Sequence, residues 1–251
     1  MSINIAKPIV YQARTNCLNC FEYLICSCIQ ASGYPYHWLF SNSWGIVYDK
    51  AGNCSAWGEH DPVYENSQSL YNIKRINDED TFRSGGLVDM IRSVPAEDCL
   101  ILMIDAIDLP WHPNFGHTRS DHFVMVHRYS EERREVYVVD WLPEYTGWIK
   151  TEELERAWTS RGSFYYQFSK ASFTEPRRLL LDRLEESVLA MRGVQGAELS
   201  TGLHALDCMK AYVQALPEGD LGWIDAWWGS LFSVVRARDL FLEFIHFVKR
   251  E

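Results

Sequence analysis

No stretch of about 18 apolar residues occurs anywhere in the 251-residue chain, so no membrane-spanning helix is expected. The longest apolar run, CLILMI (99–104), ends on an Asp. The opening MSINIAKPIVYQ lacks the apolar core of a secretory leader, and the expected setting is cytoplasmic. Low-complexity segments and internal repeats are missing too. No run of Lys and Arg offsets a formal charge of −10, which argues against a nucleic-acid partner. The seven cysteines are odd in number, and in such a chain they read as thiols rather than as a disulfide framework. No cofactor is expected, and the sequence leaves the oligomeric state open.

Hydrophobic residues make up 47% of the chain and aromatics 14%, enough to fill one large core or a core with an appendage. The pattern changes along the chain. A helix is expected from about residue 20 to 31, then aromatic-rich irregular sequence with a strand at 45–48, and a helix at 87–94. CLILMIDAI (99–107) reads as a buried strand. HFVMVHRY (122–129) and EVYVVDW (135–141) flank the charged SEERR and read as an antiparallel hairpin. Helices follow at 151–158, where Thr151 ahead of two glutamates suggests a capping box, and at 177–193, 203–219 and 225–250. The fold class expected is α+β, with a catalytic body at 1–170 and a helical subdomain at 171–251.

Four cysteines crowd the first helix: Cys17, Cys20, Cys26 and Cys28. A shared metal ion is disfavoured, because on a helix Cys26 and Cys28 lie about 200° apart. Cys28 falls on the apolar face with Phe21, Leu24, Ile25 and Ile29, and Cys26 points elsewhere without a specific signal. Asn19 and Glu22 form the N-x-x-E pattern of a capping box, which makes Cys20 the first helical residue. Backbone N–H groups and the positive end of the helix dipole favour a thiolate there. Such a cysteine needs a base to be a nucleophile.

Among eight histidines, His122 has the best context. It opens one strand of the hairpin, and Asp140 ends the other, so both side chains can meet at one end of a sheet. A carboxylate placed so can hold the imidazole while its other nitrogen faces a thiol. His112 and His117 lie in the loop 109–121, where either could line the mouth of a site. Alternation sets His127 on the opposite strand face from His122.

These residues resemble a known group. NCFEYLICSCIQASGYPYHWLFSNSWGIVY is similar to the opening of the papain-like family typified by the N-terminal region of the butirosin biosynthetic acyltransferase, with Cys20, Gly33 and FSNSWG (40–45) at the matching places. MIDAIDLPWHPNFGHTRSDHFVMVHRYSEERREVYVVDW resembles its second motif, with His122 and Asp140 at the catalytic positions. The resemblance implies a papain-like fold, a helix bearing the Cys packed on an antiparallel sheet, and a Cys20–His122–Asp140 triad. A more distant resemblance is to bacteriocin-processing cysteine peptidases, which place an oxyanion-stabilising Gln six residues before the Cys. That place is Arg14 here, with Gln12 eight residues before. Gln12, Asn19 and the Cys20 amide are therefore the oxyanion candidates.

The chemistry implied is acyl transfer from a carrier-protein thioester to a small-molecule acceptor, in nonribosomal peptide or polyketide biosynthesis. A peptidase with the same triad and a non-catalytic thiol-rich carrier-binding module are the alternatives. Cys17, Trp44, Trp111 and His117 are candidates for lining an acyl pocket. An acidic carrier would need a local basic patch, for which Arg177, Arg178 and Arg183, or Arg133 and Arg134 at the hairpin tip, are candidates.

Overall fold

The computed structural model describes residues 18–49, 53–55, 62–77, 79–95, 98–168, 179–195, 199–219 and 221–250. Its α+β architecture comprises two compact units: residues 18–36 with 71–168, and residues 37–70 with 179–250. In chain order the elements are helix α1 (Cys20–Ala31), strands β1 (Val47–Asp49) and β2 (Cys54–Ser55), helix α2 (Pro62–Tyr71), strand β3 (Ile73–Asn77) and helix α3 (Glu79–Ser93). There follow β4 (Cys99–Asp105), β5 (Asp121–Ser130), β6 (Glu135–Trp141), β7 (Glu144–Lys150), α4 (Thr151–Thr159) and β8 (Phe164–Phe168). Helix α5 (Leu180–Arg192), strand β9 (Leu199–Thr201), and helices α6 (Gly202–Ala215) and α7 (Gly222–Val248) complete the chain.

The first unit is built on a six-stranded antiparallel sheet in the order β3-β8-β4-β5-β6-β7. The expected hairpin is its centre. Met125 pairs with Val139 and Val126 with Val138, and a bulge at His127 separates them from the Arg128–Tyr137 pair. Strands β3, β7 and β8 have no counterpart in the sequence pattern, since five- and seven-residue pieces such as FYYQF carry no clear alternation. The apolar face of this sheet packs with Leu87, Met90, Leu154, Ala157 and Trp158 into one cluster that includes Leu102, Val124, Val126, Val136 and Val138. Every side chain of α1 from Leu24 to Ile29 is buried, and Phe21 rests on Phe123 and Tyr166 at ring-centroid distances of 5.0 and 4.6 Å. Cys26, which its helical position alone sets away from the apolar face, is among the buried residues.

Helix α4 corrects the expected capping box. Thr151 is the first helical residue and its hydroxyl donates to the Arg134 carbonyl at 2.9 Å, while Lys150 stands at the cap without a side-chain hydrogen bond. The residue three places beyond Thr151 is Leu154, buried in the core, so no carboxylate stands where a box needs one. The Thr151 hydroxyl ties α4 to the hairpin tip. The expected helix at 87–94 is the second half of α3, whose run is broken at Gly86 with φ of 72°.

The second unit holds a small sheet in the order β2-β1-β9, with β1 pairing antiparallel to both neighbours. A sequence boundary at 170 does not anticipate that residues 37–70 associate with the C-terminal helices. The reason is the backbone: β1 takes its hydrogen bonds from β9, about 150 residues later in the chain. Ile46, Tyr48, Cys54, Ala205, Met209 and Trp227 form the core there. Among the described residues, no helix is long and apolar enough to cross a membrane.

Candidate active site

Cys20 is the first residue of α1, as the N-x-x-E pattern requires. The Asn19 carboxamide oxygen accepts from the Glu22 backbone N–H at 2.8 Å, and Glu22 Oε2 accepts from the Asn19 N–H at 2.8 Å. The helix ends at Ser32, whose N–H bonds back to Cys28, and Gly33 takes φ of 84°, a conformation that glycine adopts without strain. The Cys20 thiol is half-buried, and its interaction with the His122 imidazole is one of the causes that raise the pKa of that ring.

His122 is the second residue of β5 and Asp140 the next-to-last of β6. The Met125–Val139 pairing, carried on one step, sets Asp140 beside Val124, one diagonal position from His122. His122 Nε2 meets Asp140 Oδ2 at 2.7 Å, with both side chains 3% exposed or less. With Nε2 engaged, Nδ1 is the nitrogen left to face Cys20. The structure thus brings together the three residues that the sequence singled out.

Electrostatics favour a proton on this imidazole. Burial alone would lower the His122 pKa, but the hydrogen bonds to Asp140 and Cys20, with their charges, outweigh it and raise the pKa to about 9. Asp140 is held by two further donors, the Trp111 indole N–H at 2.9 Å on Oδ2 and the Leu142 N–H at 3.0 Å on Oδ1. A carboxylate with three donors is fixed in orientation, and it fixes the ring in turn.

The segment 106–120 between β4 and β5 delivers Trp111. It is a compact succession of turns closed by Ala106 N–H to Ser120 O at 2.9 Å and Gly116 N–H to Ile107 O at 2.9 Å. Asp105, fully buried at the end of β4, pins both ends: it accepts from the Ile107 and Ser120 N–H groups and from Arg119. Trp111 stacks on Tyr145 with centroids 3.9 Å apart. The sequence suggests it for an acyl pocket, and its indole N–H instead serves the carboxylate. A large half-buried donor beside the strand carrying Asp140 needs a partner, and that requirement was the available signal.

The same loop reverses the choice of histidine. His117 is exposed within its turn, whereas the His112 ring lies 4.6 Å from the His122 ring, tilted by 60°. His112 Nδ1 accepts from the Asn114 N–H at 3.0 Å, which leaves its proton on Nε2 in the neutral ring. Burial, then the neighbouring His122 charge, lower the His112 pKa. Local turn geometry decided between the two, and nothing in their sequence spacing distinguishes them.

The remaining candidates stand elsewhere. Trp44 belongs to the second unit, where it packs on Phe241 at 5.0 Å beneath the Arg238 guanidinium, so its face is already occupied. Gln12, Cys17, Arg177 and Arg178 lie outside the described residues. Arg183 pairs with Glu186 at 3.1 Å, Arg134 with Glu152 at 2.9 Å, and Arg133 lies over the Trp148 ring, so these cations already have neighbours. Asn19 spends its side-chain oxygen and its backbone N–H on the cap; the donors remaining at this helix start are its Nδ2 and the Cys20 and Phe21 amides. The Cys26 thiol has its pKa raised well above the usual range by burial and by Glu22, which makes it inert. No group of three metal-ligating side chains occurs among the described residues.

Comparison with known proteins gives little beyond the geometry. No family model matches the chain, and no curated protein does. One similar solved structure is described as a C39-like peptidase from Bacillus anthracis, at 20% identity and a TM-score of 0.32, covering 47% of this chain. The match spans 63% of that peptidase, and a likeness so distant assigns neither a fold family nor a reaction.

Proposed function

We propose that the chain is a papain-like cysteine acyltransferase or thioesterase that opens the thioester of a carrier-bound acyl or peptidyl group in secondary-metabolite biosynthesis, nonribosomal peptide or polyketide. The observation that carries the reading is the grouping of Cys20, His122 and Asp140, with the thiol at a helix start and the carboxylate held by three donors.

The steps follow from that grouping. With the proton on the His122 imidazole, the Cys20 sulfur attacks the thioester carbonyl as the thiolate. Charge developing on the carbonyl oxygen falls to the Cys20 amide and Asn19 Nδ2, with Gln12 a third candidate. Collapse breaks the carbon–sulfur bond to the phosphopantetheine arm, and that thiolate takes the proton from His122. An amine acceptor, or water, then gives its proton to His122 as it attacks the acyl-Cys20 bond and releases the enzyme thiolate. Asp140 holds the imidazolium throughout.

Intact-protein mass spectrometry with an acyl-loaded carrier should show one acyl adduct, mapped to the Cys20 peptide and missing in Cys20→Ala. Undiminished turnover by Cys20→Ala would end the reading.

One observation favours a second reading, peptide or amide cleavage. An amide nitrogen must be protonated as it leaves, and an imidazole with a pKa near 9 keeps that proton available at neutral pH. Comparing an acyl thioester with the matching amide decides between them: thioester opening alone supports acyl transfer, and comparable amide cleavage supports the peptidase.

A further inference from the structure

Helix α7, 27 residues long, carries apolar side chains in two directions. One face is core: Trp227, Ala237, Leu240, Phe241 and Phe244 are all buried. The other is open. Leu221, at the cap, and Trp228, Val235 and Leu242 stand seven residues apart and are 63%, 69%, 61% and 47% exposed. Ile224 and Phe232 are exposed beside them. At about 100° per residue the six fall within an arc of about 80°, a continuous stripe interrupted by Asp239. Together they leave roughly 600 Å² of apolar surface to solvent, the upper limit for the largest patch on a typical monomer.

We infer that this stripe is the seam of a two-fold dimer in which α7 of one chain lies antiparallel to α7 of a second copy. A strict seven-residue repeat is the spacing by which one helix meets another helix. The stripe is also self-complementary. A two-fold axis between residues 231 and 232 sets Leu221 against Leu242 of the second copy, and the large Trp228 against the small Val235. Charge agrees with the antiparallel sense. From Lys210 to Arg236 the sequence has no intervening cation but has Glu218, Asp220 and Asp225, whereas from 236 to 251 four cations, Arg236, Arg238, Lys249 and Arg250, outnumber the carboxylates Asp239, Glu243 and Glu251 by one. Antiparallel pairing keeps the acidic beginnings of the two helices apart, sets each beside the other's more cationic end and opposes the helix dipoles. The stripe, with the polar side chains along its rim, approaches the ~800 Å² per partner of a stable interface.

Light scattering on the full chain, over a concentration series, should give twice the 29.2 kDa of one chain. Trp228→Lys and Val235→Glu, each alone, should weaken association at least ~30-fold, as for loss of an interface anchor, with helical circular dichroism unchanged. The two substitutions combined should restore the dimer, because the antiparallel register places each new cation opposite a new carboxylate. In a parallel pair the same variant opposes like charges and stays apart. A single-chain mass for the unmodified protein at ~100 μM, well above typical interface Kd values, would overturn the inference and leave the stripe to a different helical partner. A combined variant that stays monomeric while both single variants are folded monomers would overturn the register.

Discussion

Raising the pH on the unmodified protein and on His122→Gln in parallel isolates what protonation of this one imidazole contributes to folding. The His122 pKa is about 9 in the folded state against a reference of 6.5. A group with a raised folded pKa binds its proton more tightly in the native state, so its stabilisation is complete below about pH 6.5 and is lost as pH climbs through about 9. The gap of about 2.5 pH units, at about 1.4 kcal/mol per unit, amounts to roughly 3 kcal/mol. Full discounting for solvent does not apply, because His122 and Asp140 are 3% and 1% exposed. His122→Gln has nothing to titrate at that position, and the other groups cancel in the difference between the two proteins. Urea unfolding at a series of pH values should therefore show the unmodified protein's advantage shrinking by roughly 3 kcal/mol between about pH 6 and pH 10. A difference that stays flat, or that grows with pH, would refute the reasoning. Should the glutamine variant fail to fold, an NMR titration of the His122 ring in the unmodified protein reads the same quantity, and a midpoint at or below 6.5 counts against it.

Other consequences are sharp enough to measure. Trp111→Phe keeps the stack on Tyr145 but removes one charge-assisted donor from Asp140, so turnover should fall about tenfold with KM little changed, measured on the thioester substrate. The His112 ring should titrate below 6.5 by NMR, and its midpoint should rise in His122→Gln, because a neighbouring cation has gone; an unmoved midpoint would show the two rings are not coupled. Asp105→Ala should leave Arg119 and two backbone N–H groups without their acceptor, and limited proteolysis should then cut within 106–120 before any other segment. His37, packed flat on Phe247, has its pKa lowered to about 4, by burial first and then by Arg250. Its contribution to stability is present above 6.5 and lost as pH falls towards 4, so His37→Phe should make the protein less acid-sensitive over that window in thermal unfolding.

The place of Cys20 at a helix start was legible because its cause is local. Asn19 and Glu22 cap the helix wherever the helix lies, and Cys20 follows from the cap. The His122–Asp140 meeting was legible for a similar reason: two β-branched runs joined by a charged turn form one hairpin, and a hairpin fixes which residues share an end. Helices α5 and α6 announced themselves by length and by their stops, and α7 by length. Thr151 shows the limit of such local signals, since a residue type that favours caps gave its hydroxyl to the hairpin tip instead.

Only the tertiary structure decided the rest. Trp111 and Asp140 are 29 residues apart, and the bond between them depends on how the 106–120 turns fold back over β6. The same turns brought His112 rather than His117 to the His122 ring, a choice made by dihedral angles that neighbouring residue types do not dictate. Trp44 went to a different core because β1 needed a strand to pair with and found β9 far along the chain. Short-range hydrogen bonding and periodicity, in this protein, specified where a thiol, an imidazole and a carboxylate lie. Which side chains support them depended on long-range backbone pairing, whose partners no local pattern names.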